Sequence, residues 1–562
     1  MKKPPVVQVF TTHLAINLIA FAVAFWAAPL GHAQSTLPQL GDDQLMSIAA
    51  ERKLGQRIAR DIYRDPDYLD DAVLGDYVQR IWQPLMRAAR QRGDITPELQ
   101  ERFAWQVMLA RDRSVNAFAL PGGYLGVHLG LIAMVANRDE LASVLSHELS
   151  HVTQRHIARI TSKQSQQAPW LLGAMILGAL AARQNSDIAG AVITGSQAAS
   201  AQSQLNFSRD MEREADRIGY QIMQDAQFNT QGFVGMFDKL AQANRINDNG
   251  SFPYLRSHPL TSERVGDMQS RLQLNAPAPA AAANMDTALE HAMVVRRARI
   301  LANPSVDALR SEVAQTENDI RKASASNAGN AGAAQAMLPA SLYAGALAAF
   351  KQRDVALAQR WSDRARELMA SMPLSQSLPA AASINSTLGR TAGPTNASAS
   401  SATTYALQTL ALLQAELAMA QNAPTRALDL LRPWLGGAVP ERAVLLQWAR
   451  CASYPSAAKA DQQMAIEALQ LWLTDKPQDA AAWEAISALY SVQKYTLRAI
   501  RAQAESRVAV LDYTAALDRF KAAQDAARSG ANTDYIELSI IDSRARAVQA
   551  LQRDFANDKT PN

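Results

Sequence analysis

The chain has 562 residues, 48% hydrophobic and 19% charged, a globular composition too long for a single hydrophobic core. Its formal net charge of +4 is small for that length and gives no reason to propose nucleic acid or an anionic membrane surface as a partner. The single cysteine, Cys451, excludes an internal disulfide and reads as core packing in an Ala-rich helical stretch rather than as a nucleophile.

In chain order, residues 1–33 have the layout of a secretory signal peptide. Lys2 and Lys3 precede an apolar run from Leu14 to Leu30, and Gly31-His32-Ala33 offers a small-x-small cleavage site before Gln34. This predicts export to the periplasm; the rival is an uncleaved membrane anchor. Residues 34–273 are expected to form one α+β domain. Asp43–Arg60 and Leu69–Arg92 read as amphipathic helices, and Phe103–Leu109 reads as a strand. Ser114–Leu120 and Tyr124–Leu129 read as two further strands, joined by Pro121-Gly122-Gly123 into a hairpin. Helices are expected over Arg138–Thr161 and Gln204–Asp225. Between them, the apolar stretches Ala168–Ala182 and Ile188–Ala201 are short for a bilayer span. They read either as a helical hairpin packed on the domain or as a lid or membrane-touching element, so membrane contact is at most peripheral.

Residues 274–290, with the Ala/Pro run between Asn275 and Asn284, are expected to be a linker. Beyond, residues 291–562 are Ala-rich and helical, interrupted by low-complexity stretches at 322–335 and 373–402 expected to be loop or disordered. Loose self-similarity recurs around Tyr343-Ala344-Gly345, Leu413-Gln414-Ala415, Ala482-Trp483 and Tyr513-Thr514-Ala515. Aromatic and small residues at such places resemble tetratricopeptide (TPR) units, which predicts an α-solenoid of helix pairs offering a surface for protein partners. An ordinary helical bundle is the alternative. The expected fold is therefore mostly α: an α+β peptidase-like domain followed by TPR-like helix pairs.

The chemistry concentrates at His147-Glu148-Leu149-Ser150-His151. Two histidines four apart lie on one face of a helix, where both can reach one zinc ion. Glu148 stands beside the first of them, placed to take a proton from a water that zinc has acidified. A third protein ligand is needed. The pattern with a third histidine six residues on is absent, because position 157 is Ile and position 154 is Gln. His156 falls one residue short and is expected to face elsewhere as a structural residue. Downstream, Glu212 and Asp216 are four apart on the next helix and share a face. A carboxylate from that helix would complete a His, His, Glu site, and Asp216 could fix the tautomer of a ligating histidine. Geometry alone leaves the choice between Glu212 and Glu214 open, with Glu214 expected off that face as a solvated charge.

His147-Glu-Leu-Ser-His151 followed by Glu212-x-x-Ala-Asp216, with Asn116–Tyr124 as a hairpin before the metal helix, resembles the zinc peptidases of the HtpX and CAAX-prenyl-protease superfamily. The resemblance covers about residues 40–270. It implies a gluzincin-type zinc endopeptidase with one Zn(2+), ligands His147, His151 and Glu212, and Glu148 as general base. The family's His-Pro motif with a following Arg corresponds to His258-Pro259 and Arg264. This implies that His258 approaches the zinc, as an oxyanion donor or as a resting-state fourth ligand, and that Arg264 joins Glu148 and His258 in the catalytic set by steadying the same region or Glu212. The strand containing Asn116, Ala117, Phe118 and Ala119 is expected to present an edge to an extended substrate. With the leader and the TPR-like region, the resemblance implies an envelope quality-control protease. Its partners would be unfolded or misassembled envelope proteins and the outer-membrane β-barrel assembly machinery. A chaperone or adaptor in which cleavage is secondary is the alternative.

Overall fold

The computed structural model describes residues 46–163, 209–245, 252–274, 285–325, 331–372, 401–436, 440–529 and 534–557. The expected leader, the apolar stretches at 168–201, the Ala/Pro run at 275–284 and residues 373–400 lie outside the described residues. Within them the protein is mostly α with one small sheet.

Helix α1 (Ile48–Arg64) starts at Ser47, whose side chain accepts from the Ala50 N–H. Helix α2 (Ala72–Arg92) is capped by Asp71 and stops at Gly93, which adopts the left-handed conformation. Leu69, expected at the start of this helix, instead pairs in the two-residue strand β1 (Tyr68–Leu69). After α3 (Pro97–Arg102) come β2 (Gln106–Ala110), β3 (Ala117–Leu120) and β4 (Tyr124–His128). The strand expected from Phe103 begins only at Gln106, because Trp105 has φ 50° and breaks the extended run. The predicted hairpin is present: β3 and β4 are antiparallel. Gly122 and Gly123 both have positive φ, 71° and 82°, which side chains rarely tolerate. Strand order is β1-β2-β4-β3, with β2 parallel to β4, so β3 is an edge strand.

Helix α4 (Leu129–Met134) leads into α5 (Arg138–Thr153), which carries both metal-type histidines. The single helix expected to Thr161 is two. Arg155 has φ 51°, which ends α5, and α6 (His156–Lys163) starts afresh. Helix α7 (Arg209–Asp225) carries the downstream carboxylates. Helices α8 (Gln231–Arg245), α9 (Tyr254–Ser257) and α10 (Ser262–Leu274) complete this part.

Every residue of α5 from Glu140 to Thr153 is buried. It runs through a core built from Ile81, Trp82, Leu85, Leu125, Val127, Leu145, Leu149, Ile222 and Phe233, among others. Helix α7 packs along it with Gly219 at the closest approach. A Cβ added there would lie 3.0 Å from His147 N and Ser146 O. That missing side chain lets α7 bring its carboxylates within reach of α5. Gly219→Val is therefore expected to destabilise the fold by about 1–3 kcal/mol through overpacking. A thermal melt within about 1 °C of wild type would contradict this account.

Helix α11 (Met285–Ala302) begins inside the span expected as linker. Its apolar residues explain why: Val294, Ala298 and Leu301 join the core around α5, while Leu289, Met293 and Ile300 join a second core. The low-complexity stretch at 322–335 is also partly helical. Helix α12 (Val306–Ala325) runs into it and α13 (Ala331–Lys351) begins within it, as high alanine content favours. Chain neighbours then pack on one another: α13 on α14 (Val355–Ser371), α15 (Ser401–Ala420) on α16 (Pro424–Leu431), and α17 (Arg442–Ala452) on α18 (Lys459–Asp475). Helix α19 (Ala480–Val492) packs on α20 (Thr496–Ala509), and α21 (Tyr513–Ser529) on α22 (Tyr535–Asn557).

This helical region is tied back to the segment around α2. Arg442 makes paired 2.7 Å hydrogen bonds to Asp70, and Arg297 holds both oxygens of Asp71 at 2.7 and 2.9 Å. Asp76 accepts from the Ala443 N–H at 2.8 Å. Among the described residues no helix is long and apolar enough to cross a membrane.

Candidate metal centre

On α5 the four-residue spacing turns His147 and His151 the same way, with their Nε2 atoms 3.0 Å apart. Glu212 of α7 comes from the opposite side. Its Oε2 is 3.5 Å from His147 Nε2, and its Oε1 is 3.5 Å from His151 Nε2. His258, at the end of α9, closes the cluster. Its Nδ1 is 3.3 Å from His147 Nε2 and 3.1 Å from Glu212 Oε1. All four side chains are buried.

These separations have a simple meaning. Nitrogen and oxygen ligands about 2.0–2.1 Å from a tetrahedral zinc stand about 3.3–3.4 Å from each other. The five contacts among the His, His, Glu, His side chains run from 3.0 to 3.5 Å, with Glu212 offering Oε2 to His147 and Oε1 to His151 and His258. Three imidazole nitrogens and a carboxylate oxygen meeting at one buried point would also crowd lone pairs without a cation among them. The residues present therefore fit zinc.

Asp216 stands behind the cluster. His147 Nδ1 lies 2.9 Å from Asp216 Oδ1, which leaves Nε2 to face the centre. Arg264 then holds Asp216 with two hydrogen bonds, from Nε at 2.7 Å and Nη2 at 2.8 Å. Its Nη1 is 2.9 Å from Glu212 Oε2 and donates to the Pro259 carbonyl at 2.8 Å. Arg264 thus braces two carboxylates rather than meeting the centre itself. Glu148 also faces inward. Its Oε2 accepts from the Ala119 N–H at 2.9 Å, while its buried Oε1 makes no hydrogen bond among the described residues and lies 3.4 Å from His258 Nε2.

Electrostatics follow the same layout. Burial disfavours protonated His147, but hydrogen bonds to Asp216 and Glu212 outweigh it and hold the group at about 10. That negative field is also what a divalent cation would meet. Burial pushes the Glu148 carboxyl up, against the pull of His258 and His147. Burial also acts on Glu212 and Asp216, yet neighbouring His258 and Arg264, respectively, keep them below the usual carboxylate range. His151 is pushed well down by burial and by His147.

The structure thus brings together His147, Glu148, His151, Glu212, Asp216, His258 and Arg264. Of the expected edge segment, Ala117, Phe118 and Ala119 lie in β3. Asn116 precedes the strand, and its carbonyl already accepts from His128 N. Two side chains depart from expectation. His156 touches His151, with the two Nδ1 atoms 2.8 Å apart, and Glu214, though partly exposed, is paired with His156 and Arg159. Tyr254, which the motifs did not single out, stacks on His258 with centroids 4.6 Å apart. The only sequence signal for it is its place four residues before that histidine.

A buried HExxH helix faced by a carboxylate from a second helix is an arrangement that could hold a metal ion, and residues 76–272 match the sequence profile of peptidase family M48. The chain is 31% identical over 274 residues to a putative beta-barrel assembly-enhancing protease of Vibrio cholerae, covering 48% of this chain and 54% of that protein. The Beta-barrel assembly-enhancing protease of Escherichia coli K12 is 31% identical over 263 residues, 46% of this chain and 52% of that protein. The mitochondrial metalloendopeptidase OMA1 of Saccharomyces cerevisiae is 28% identical over 200 residues, 35% of this chain and 55% of that protein. The chain spans about half the length of these relatives.

Proposed function

We propose that the protein is a zinc-dependent endopeptidase of the bacterial envelope that cleaves misassembled proteins, with the TPR-like helices docking clients or the β-barrel assembly machinery. The observation that carries the reading is the four-sided cluster of His147, His151, Glu212 and His258, with Glu148 beside it. The assembly role rests on the names of the bacterial relatives, and the periplasmic location on the N-terminal leader pattern.

Bound zinc would supply Lewis-acid polarisation of the scissile carbonyl and acidify the attacking water. Glu148 accepts the proton of that water and returns it to the leaving amine. Burial makes its carboxylate a better base than an exposed one, and the Ala119 N–H fixes its orientation. Because Ala119 belongs to edge strand β3, a peptide added along that edge would run beside Glu148. Main-chain pairing of this kind carries little side-chain selectivity. His258 occupies the fourth corner of the resting cluster. Substrate entry requires it to give way, after which its ring can donate to the developing oxyanion.

The test is zinc content and affinity. One zinc per chain is expected in the wild type, and His258→Ala should weaken zinc binding by about tenfold or more. Unchanged affinity together with unchanged peptidase activity in His258→Ala would remove it from the centre. A wild-type protein that takes up no zinc would end the reading altogether.

A further inference from the structure

His151 has a second nitrogen that the metal cluster does not use. On an unbroken helix, residues five apart point about 140° away from each other, so His156 should not meet His151. It does, because the helix stops. Arg155 adopts φ 51°, a left-handed conformation that only a well-held non-glycine residue keeps. The hold is visible: Arg155 Nε donates to Glu51 Oε2 at 2.9 Å, and Glu51 is buried. Helix α6 then restarts at His156 and lays its imidazole against His151, ring centroids 4.9 Å apart. The contact continues outward. His156 Nε2 is 3.2 Å from Glu214 Oε2, which also accepts from Arg159 Nη1 at 2.8 Å.

We infer that His156, backed by Glu214 and Arg159, is the positioning residue that fixes the ring and tautomer of His151 for metal binding. The inference rests on His151 being a ligand, as proposed above. The proton placement is determined. If Nε2 of His151 presents its lone pair to the centre, Nδ1 carries the hydrogen and donates to Nδ1 of His156. His156 then carries its own hydrogen on Nε2 and donates it to the Glu214 carboxylate. The other ligand, His147, is oriented in parallel fashion by Asp216 and Arg264. Each ligating histidine is thus backed by a relay that ends in an arginine, direct for His147 and one imidazole longer for His151.

The test compares two substitutions at one site in the full-length chain, reading zinc affinity by competition with a chromophoric chelator. His156→Asn keeps an acceptor where Nδ1 stood; His156→Leu fills the space without one. His156→Leu is expected to bind zinc about 10–100-fold more weakly than wild type, and His156→Asn to stay within about fivefold of it. A role in packing alone would move both variants together, so equal affinities overturn the inference, whether both are tight or both weak. If His156→Leu does not fold, the partly exposed Glu214 takes its place: Glu214→Leu should release zinc about 3–10-fold faster than Glu214→Gln, which still accepts from His156. Equal release rates overturn the inference. Failure of the wild type to bind zinc defeats the metal-centre reading and this inference with it. Zinc binding by the wild type with no difference between paired variants defeats this inference alone.

Discussion

Glu148→Gln is expected to lower peptide-bond hydrolysis by about 10²–10⁴-fold while leaving one zinc bound per chain. The substitution is close to isosteric. A glutamine carboxamide oxygen can still accept from the Ala119 N–H, so the edge strand stays tied to α5. None of the four clustered donor atoms belongs to Glu148, so the metal site should remain intact. What disappears is the base. The buried carboxylate, whose proton affinity is raised by its surroundings, is replaced by a group that does not titrate. The assay is cleavage of an unfolded protein substrate, with zinc measured on the same preparation. Turnover within about threefold of wild type would sink the assignment. In cells the same variant separates the protease from the adaptor reading, since an adaptor would keep working with an inert centre.

Much of this centre was legible in the sequence because its parts are local. His147 and His151 need only helical spacing to converge, and Glu212 and Asp216 need only the same spacing on a second helix. What the spacing does not reveal is the break at Arg155. A non-glycine residue at positive φ has no sequence signature, since Glu51, about a hundred residues earlier, holds it there. Treating α5 as continuous therefore turned His156 away from His151 and left Glu214 without a partner. The Ala119 contact to Glu148 is invisible for a different reason: its donor is a backbone amide that any residue could supply. Sheet order is hidden too. The hairpin is local and legible from its Pro-Gly-Gly turn, whereas the parallel pairing of β2 with β4 depends on long-range packing. The start of helix α11 is hidden because alanine-rich sequence suits both a linker and a helix. Its two apolar faces, one on each core, decide the matter.

Arg264→Leu should be the most destabilising single change near the centre, by about 3–5 kcal/mol. The guanidinium is 4% exposed and faces two carboxylates that are each 2% exposed. Removing it leaves Asp216 and Glu212 buried with one less partner, and it also removes the donor to the Pro259 carbonyl beside His258. For a domain of this size the loss corresponds to a melting point lower by about 6–20 °C. Arg264→Lys should recover only part of it, since a single ammonium cannot reproduce two parallel hydrogen bonds to Asp216. A second substitution separates stability from metal binding. Adding Asp216→Asn to Arg264→Leu removes one of the uncompensated charges and should restore a share of the lost stability. It should not restore zinc affinity, because His147 has then lost the carboxylate that orients its Nδ1. A double variant that regains both stability and zinc affinity would mean that Asp216 serves Arg264 rather than His147. An Arg264→Leu protein that melts within about 2 °C of wild type would mean that water, not the guanidinium, balances these charges.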